Sequence, residues 1–122
     1  MIQPVRKLIV MLRRQGYKVQ VETNGTPNAR TGADACGAHH LSVSPKQLVS
    51  QQALGRNVSE IKVVARDEND VRRAESMLGW GVPVYLQPVS NDPEAIKLCV
   101  QSVLKNPELR LSVQLHKLIG IP

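Results

Sequence analysis

The stretch 82–104, VPVYLQPVSNDPEAIKLCVQSVL, decides how the chain is read. It opens as a strand, Val82 to Gln87, in which Val84 and Leu86 alternate with Tyr85 and Gln87, the two-residue period of a pleated ribbon with one apolar face. Pro88 ends it. Asp92 then caps a helix and Pro93 opens it. An aspartate oxygen accepts from the otherwise unsatisfied first-turn N–H groups, and proline needs no N–H there. Ile96, Cys99, Val100, Val103 and Leu104 recur at the three-to-four spacing of one helix face, and Asn106-Pro107 closes it. A strand followed by such a helix is the building block of a parallel sheet.

The same alternation spreads outward in both directions. Leu109 to His116 predicts a fifth strand, with Leu109, Leu111, Val113 and Leu115 set against Arg110, Ser112, Gln114 and His116. Upstream, SEIKVV at 59–64 predicts the third strand. Asp67 to Leu78 follows as a helix, acidic in its first turn and stopped by Gly79. Leu41 to Ser44 predicts the second strand, ended by Pro45 and followed by a helical stretch from Lys46 to Leu54. Val19 and Val21 mark a first strand in KVQVETNGT at 18–26, closed by the turn residues Asn24-Gly25. Ile2 to Gln15 predicts an amphipathic helix with the stripe Val5, Leu8, Ile9 and Leu12, and the breaker-rich segment 27–40 a loop.

A chain of 122 residues is sized for a single domain, residues 1–122. With 42% apolar and 21% charged residues it is globular rather than disordered. It has no apolar run of membrane-spanning length, so no membrane partner is expected. The N-terminus has no signal-peptide pattern, and the two cysteines, Cys36 and Cys99, match no metal spacing. A cytoplasmic protein with free thiols is the expectation. The formal charge of +6 fits an anionic partner, but the basic residues are scattered and aromatics number three. A solvated surface explains most of the charge, and no direct nucleic-acid contact is expected.

Strands buried on both faces read as continuous apolar runs. These do not: Gln20 and Glu22, Ser42 and Ser44, Lys62, and Tyr85 and Gln87 oppose the apolar positions. The apolar faces therefore pack on helices, and the polar faces line an interior. The expected fold is α/β, a partial open βα barrel of about five parallel strands with intervening helices. In such barrels chemistry sits at the C-terminal strand ends. Those ends are Glu22 to Gly25, Ser44-Pro45-Lys46, Gln87, and Gln114 to Lys117.

Each group also has a bland reading. Asn24-Gly25 alone is a common turn, and Gln87-Pro88 a strand stop. Ser44-Pro45-Lys46 alone is a strand end beside a solvated lysine. His39-His40 is a surface pair without a ligand set around it. His116, on the polar face at a strand end, is the better histidine candidate, with a structural hydrogen-bonding role as its alternative. Cys99 belongs to the core.

Taken in order, VETNGT, SVSPK, EIKVV, VYLQP and the ending RLSVQLHKLIGIP resemble the second half of the 7-carboxy-7-deazaguanine synthases of the radical S-adenosylmethionine superfamily. The ending and its upstream SPK and LQP are the specific part; ETNGT-like strand ends occur in other radical enzymes. The resemblance implies a shortened open βα barrel. It also implies conversion of 6-carboxy-5,6,7,8-tetrahydropterin to 7-carboxy-7-deazaguanine with release of ammonia, on the route to queuosine. It gives Ser44, Pro45 and Lys46 to S-adenosylmethionine, with Glu22, Asn24 and Gln87 shaping the same site. His116 and the terminal carboxylate of Pro122 fall to the pterin substrate. Leu115 stands where the family commonly has Thr. The family's three cluster cysteines for a [4Fe–4S] centre, its Gly-Gly-Glu-Pro strand and its magnesium site have no counterpart in this sequence. The chain is therefore expected to be inactive alone and to need an N-terminal half to complete the enzyme; a homodimer partner is the other one the resemblance implies. The alternative is a non-catalytic module that binds S-adenosylmethionine, pterin or a partner subunit.

Overall fold

The computed structural model describes residues 5–25, 37–54 and 57–122. The chain divides into two compact units, Met1–Ser59 and Glu60–Pro122.

The first unit begins with α1, Val5–Arg14. Its end is fixed by backbone geometry: Gly16 takes φ +87°, its N–H donates to Arg13 O, and Tyr17 N–H donates to Leu12 O. These two bonds satisfy helix-end carbonyls, and glycine takes the left-handed backbone at no steric cost. Of the expected stripe, Ile9 is buried and Leu12 half-buried, whereas Val5 and Leu8 are exposed. β1, Gln20–Thr23, pairs in parallel with β2, His40–Val43. Val21 registers with Leu41 and Glu22 with Ser42, so Glu22 and Ser42 share one face. Leu41 and Val43 are buried. The helix expected over 46–54 is confined to α2, Gln51–Leu54. Ser50 begins it by accepting from Ala53 N–H through both its hydroxyl and its carbonyl, and Leu48 upstream stands in solvent.

The second unit holds three parallel strands in chain order: β3, Glu60–Ala65; β4, Val84–Pro88; and β5, Leu109–Leu111. Between them run α3, Glu68–Glu75, and α4, Pro93–Lys105. Both helices start at the aspartates that the sequence marks. Asp67 accepts from Asn69 and Asp70 N–H, and Asp92 from Ala95 N–H at 3.0 Å ahead of Pro93. α3 packs on β3 and β4, α4 on β4 and β5, and the two helices touch. They therefore cover the same face of the three strands. Ile61, Val63, Val84, Leu86 and Leu109 point into that core beside Val71, Ala74, Met77, Ala95 and Cys99. Burying each large aliphatic side chain contributes about 1.5–3 kcal/mol.

On the other face, Lys62, Tyr85 and Gln87 are half-buried. Each unit holds parallel strands in chain order, and in the second unit α3 and α4 cover one face only, an α/β arrangement of the partial-barrel kind rather than a doubly wound sheet.

The fifth strand is much shorter than its alternation predicts. β5 pairs with β4 only as far as Leu86↔Leu111, with Ser112 N–H donating one further bond to Leu86 O. Beyond Leu86, β4 ends at Pro88, which has no N–H, and turns into the 3₁₀ turn Val89–Asn91. The chain after Ser112 instead coils into α5, Leu115–Leu118. His116 thus lies on a short exposed helix, not on the polar face of a strand, and Leu115 is solvent-exposed rather than turned inward.

Candidate functional site

Within the first unit, pairing brings two of the expected groups together. The β1–β2 register continues past the strands, with Ser44 N–H donating to Thr23 O at 2.7 Å. Glu22 and Asn24 therefore end one strand directly beside the strand end that carries Ser44, Pro45 and Lys46. Glu22, Asn24 and Lys46 are exposed, Ser44 is half-buried, and Pro45 is fully buried. Pro45 can therefore contribute rigidity, holding Ser44 and Lys46 on either side of a fixed backbone.

The turn beneath them is tight. Gly25 has φ +68° and is buried, and its N–H donates to Thr23 Oγ1 at 3.3 Å. A carboxylate, an amide, a hydroxyl and an ammonium thus cluster at two adjacent strand ends. This mix of donors and an acceptor carboxylate suits an amino-acid carboxylate and a ribose diol.

In the second unit, Gln87 is the penultimate residue of β4 and half-buried. α5, which carries His116, packs on the 3₁₀ turn that follows it, and Ile121 N–H donates to His116 O at 3.0 Å. Pro122 is exposed. The polar face also holds a pair that the motifs do not mark. The Arg110 guanidinium lies 5.8 Å from the centre of the Tyr85 ring, and its Nη1 is 3.4 Å from the Tyr85 hydroxyl. Alternation placed both residues on the polar face; only the register of β4 and β5, which pairs Tyr85 with Arg110, brings them together.

Among the described residues no group of three or more His, Cys, Asp or Glu side chains is placed to hold a metal ion. Cys99 is fully buried against the sheet, and burial, with the nearby Asp70 charge, pushes its thiol up to about 11. That is the opposite of the thiolate an iron–sulfur cluster requires. Cys36 lies outside the described residues. Of the histidine pair, His40 opens β2, and His39 accepts from Val19 N–H through Nδ1 at 3.1 Å. No helix among the described residues is long and apolar enough to cross a membrane.

No family model matches the chain. It is, however, similar to a series of curated proteins that share one name, 7-carboxy-7-deazaguanine synthase. The protein from Caulobacter vibrioides is 34% identical over 116 residues, 93% of this chain and 51% of the relative. Those from Bordetella pertussis and Escherichia coli K12 are 32% and 29% identical, over 55% and 56% of their own lengths. Among solved structures, QueE from Escherichia coli superposes with a TM-score of 0.65 at 27% identity, covering 88% of this chain and 49% of that one. The chain spans about half the length of the relatives it matches. The chain belongs to the 7-carboxy-7-deazaguanine synthase family and shares the α/β fold of that structure.

Proposed function

We propose that this chain supplies the ligand-holding strand ends of a 7-carboxy-7-deazaguanine synthase and works together with a cluster-bearing segment. The observation that carries the reading is the parallel register of β1 and β2, which puts Glu22 and Asn24 next to Ser44-Pro45-Lys46. In this reading Lys46 pairs with the carboxylate of S-adenosylmethionine, and Glu22 accepts from its hydroxyl or ammonium donors. Ser44 and Asn24 supply neutral hydrogen bonds, and Pro45 and Gly25 hold the two loops in place. The roles implied for Gln87 toward the same cofactor, and for His116 and Pro122 toward the pterin, belong to the same proposal. Bound S-adenosylmethionine supplies the radical chemistry of ring contraction when an iron–sulfur cluster delivers an electron. The described residues of this chain do not fit that cluster or a magnesium ion, so both are assigned to the completing segment.

The test is reconstitution. The chain is mixed, under reducing anaerobic conditions, with the portion of the Caulobacter vibrioides relative outside the matched segment. 5′-Deoxyadenosine and 7-carboxy-7-deazaguanine should form from the pair and from neither part alone. A folded pair that retains S-adenosylmethionine yet makes neither product overturns the lyase reading and leaves a binding module.

A further inference from the structure

The net charge of the chain is unevenly placed. Residues 1–59 contain eight Lys and Arg against two Asp and Glu, whereas residues 60–122 contain eight of each. Within the positive first unit, where β1 and β2 begin, lies a hollow of about 380 Å³. It is lined by Arg13, Gly37, His39, Leu41, Asn57 and Ser59 among others. This is the end of the strands opposite to Glu22 and Ser44.

The polar groups of the hollow are arranged as donors. Arg13 Nη1 donates to Gly37 O, which fixes the guanidinium at the wall while its fork keeps further N–H groups to offer. His39 Nδ1 accepts from Val19 N–H, so the neutral ring carries its hydrogen on Nε2 as a donor. Ser59 Oγ accepts from Leu41 N–H at 3.0 Å, leaving its O–H to donate. No carboxylate is among the described residues that line the hollow. Partial loss of hydration and then the charges of Lys18 and Arg13 hold His39 below the usual imidazole range.

We infer that this hollow binds a phosphate-type oxyanion, gripped by the Arg13 guanidinium, the His39 ring N–H and the Ser59 hydroxyl. Guanidinium matches phosphate geometry through paired N–H bonds, and the surrounding positive charge adds attraction. The hollow is larger than a phosphate, so the shared chemistry covers free phosphate and a small phosphomonoester.

The experiment follows amide and histidine resonances of the full chain at low ionic strength during titration with inorganic phosphate, adenosine monophosphate or matched chloride. Saturable shifts at Val19, His39 and Ser59 are expected with phosphate or the nucleotide, together with a rise in the His39 pKa of about half a unit or more. Tighter binding of the nucleotide assigns a phosphomonoester, and equal or weaker binding a free anion. Arg13→Gln should weaken binding at least about tenfold. Asn57→Asp, at an exposed position, should do the same by repulsion without disturbing the fold. The proposal is overturned if chloride reproduces the shifts or the His39 titration stays put. It is equally overturned if the folded Asn57→Asp variant binds undiminished.

Discussion

Gly25 lies so close to Val43 that a Cβ placed on it would sit 2.7 Å from Val43 Cγ1, and 2.9 Å from Leu54 Cδ2. Its φ of +68° adds a second demand that a larger residue meets poorly. Gly25→Ala should therefore destabilise the first unit by about 2–4 kcal/mol, read as a lowered urea midpoint. Asn tolerates this backbone but not the crowding, so Gly25→Asn should be no better. Val43→Ala in the alanine background should recover part of the loss, and strict additivity in that double-mutant cycle would contradict the steric account.

Asp70 is the buried charge of the second unit. It accepts from Arg66 N–H at 2.9 Å and pairs with Arg73 at 2.8 Å, both side chains being largely covered. Asp70→Ala removes both partners' acceptor and should cost about 3 kcal/mol. The exposed Arg66 side chain is 3.8 Å from the same carboxylate, and Arg66→Ala should cost below about 1 kcal/mol. Equal losses from the two variants would show that burial is not what separates them.

Cys99 holds its proton more tightly folded than unfolded, with a pKa raised from 9.0 to about 11. The unfolded thiol ionises first, so this stabilisation is complete below pH 9 and is lost as the pH climbs toward 11. Cys99→Ala should flatten that alkaline decline in melting curves. Thiol reagents at pH 8 should leave Cys99 unmodified until denaturant is added.

The strand-end site proposed for S-adenosylmethionine can be tested separately. Lys46→Ala and Glu22→Gln alter exposed side chains, so both variants should fold normally. Each should weaken S-adenosylmethionine binding by about tenfold or more in calorimetry, because a charge-assisted hydrogen bond is worth about 1.5–3 kcal/mol. Ser44→Ala should have a smaller effect. Unchanged heats from both charge variants would remove this site from the proposed function.

Much of this architecture was legible because local signals agreed. Asp67 and Asp92 cap α3 and α4 as their positions demand, and alternation in 60–65 and 84–88 separates the covered face from the polar one. The strand ends Glu22-Thr23-Asn24 and Ser44-Pro45-Lys46 could be named from sequence, but their adjacency depends on the β1–β2 register, which is not a local property. Alternation misled at 112–116, where Val113 and Leu115 match a strand equally well while Leu115, Leu118 and Ile119 match a helical turn. The deciding factor lay elsewhere, in Pro88 ending the neighbouring strand. For the same kind of reason α2 is short: Ser50 starts a fresh turn within a segment whose composition is uniformly helix-compatible.

In the second unit each strand pairs with the next one made. Ile61 meets Val84 and Val84 meets Leu109, 23 and 25 positions along the chain. No pairing waits for a distant segment to emerge. A ribosome releasing this polypeptide thus delivers β3, α3 and β4 as a set that can close before α4 exists, and then adds one further layer at a time. Assembly in the order of synthesis is built into the topology, and it keeps unpaired edges short-lived on the nascent chain.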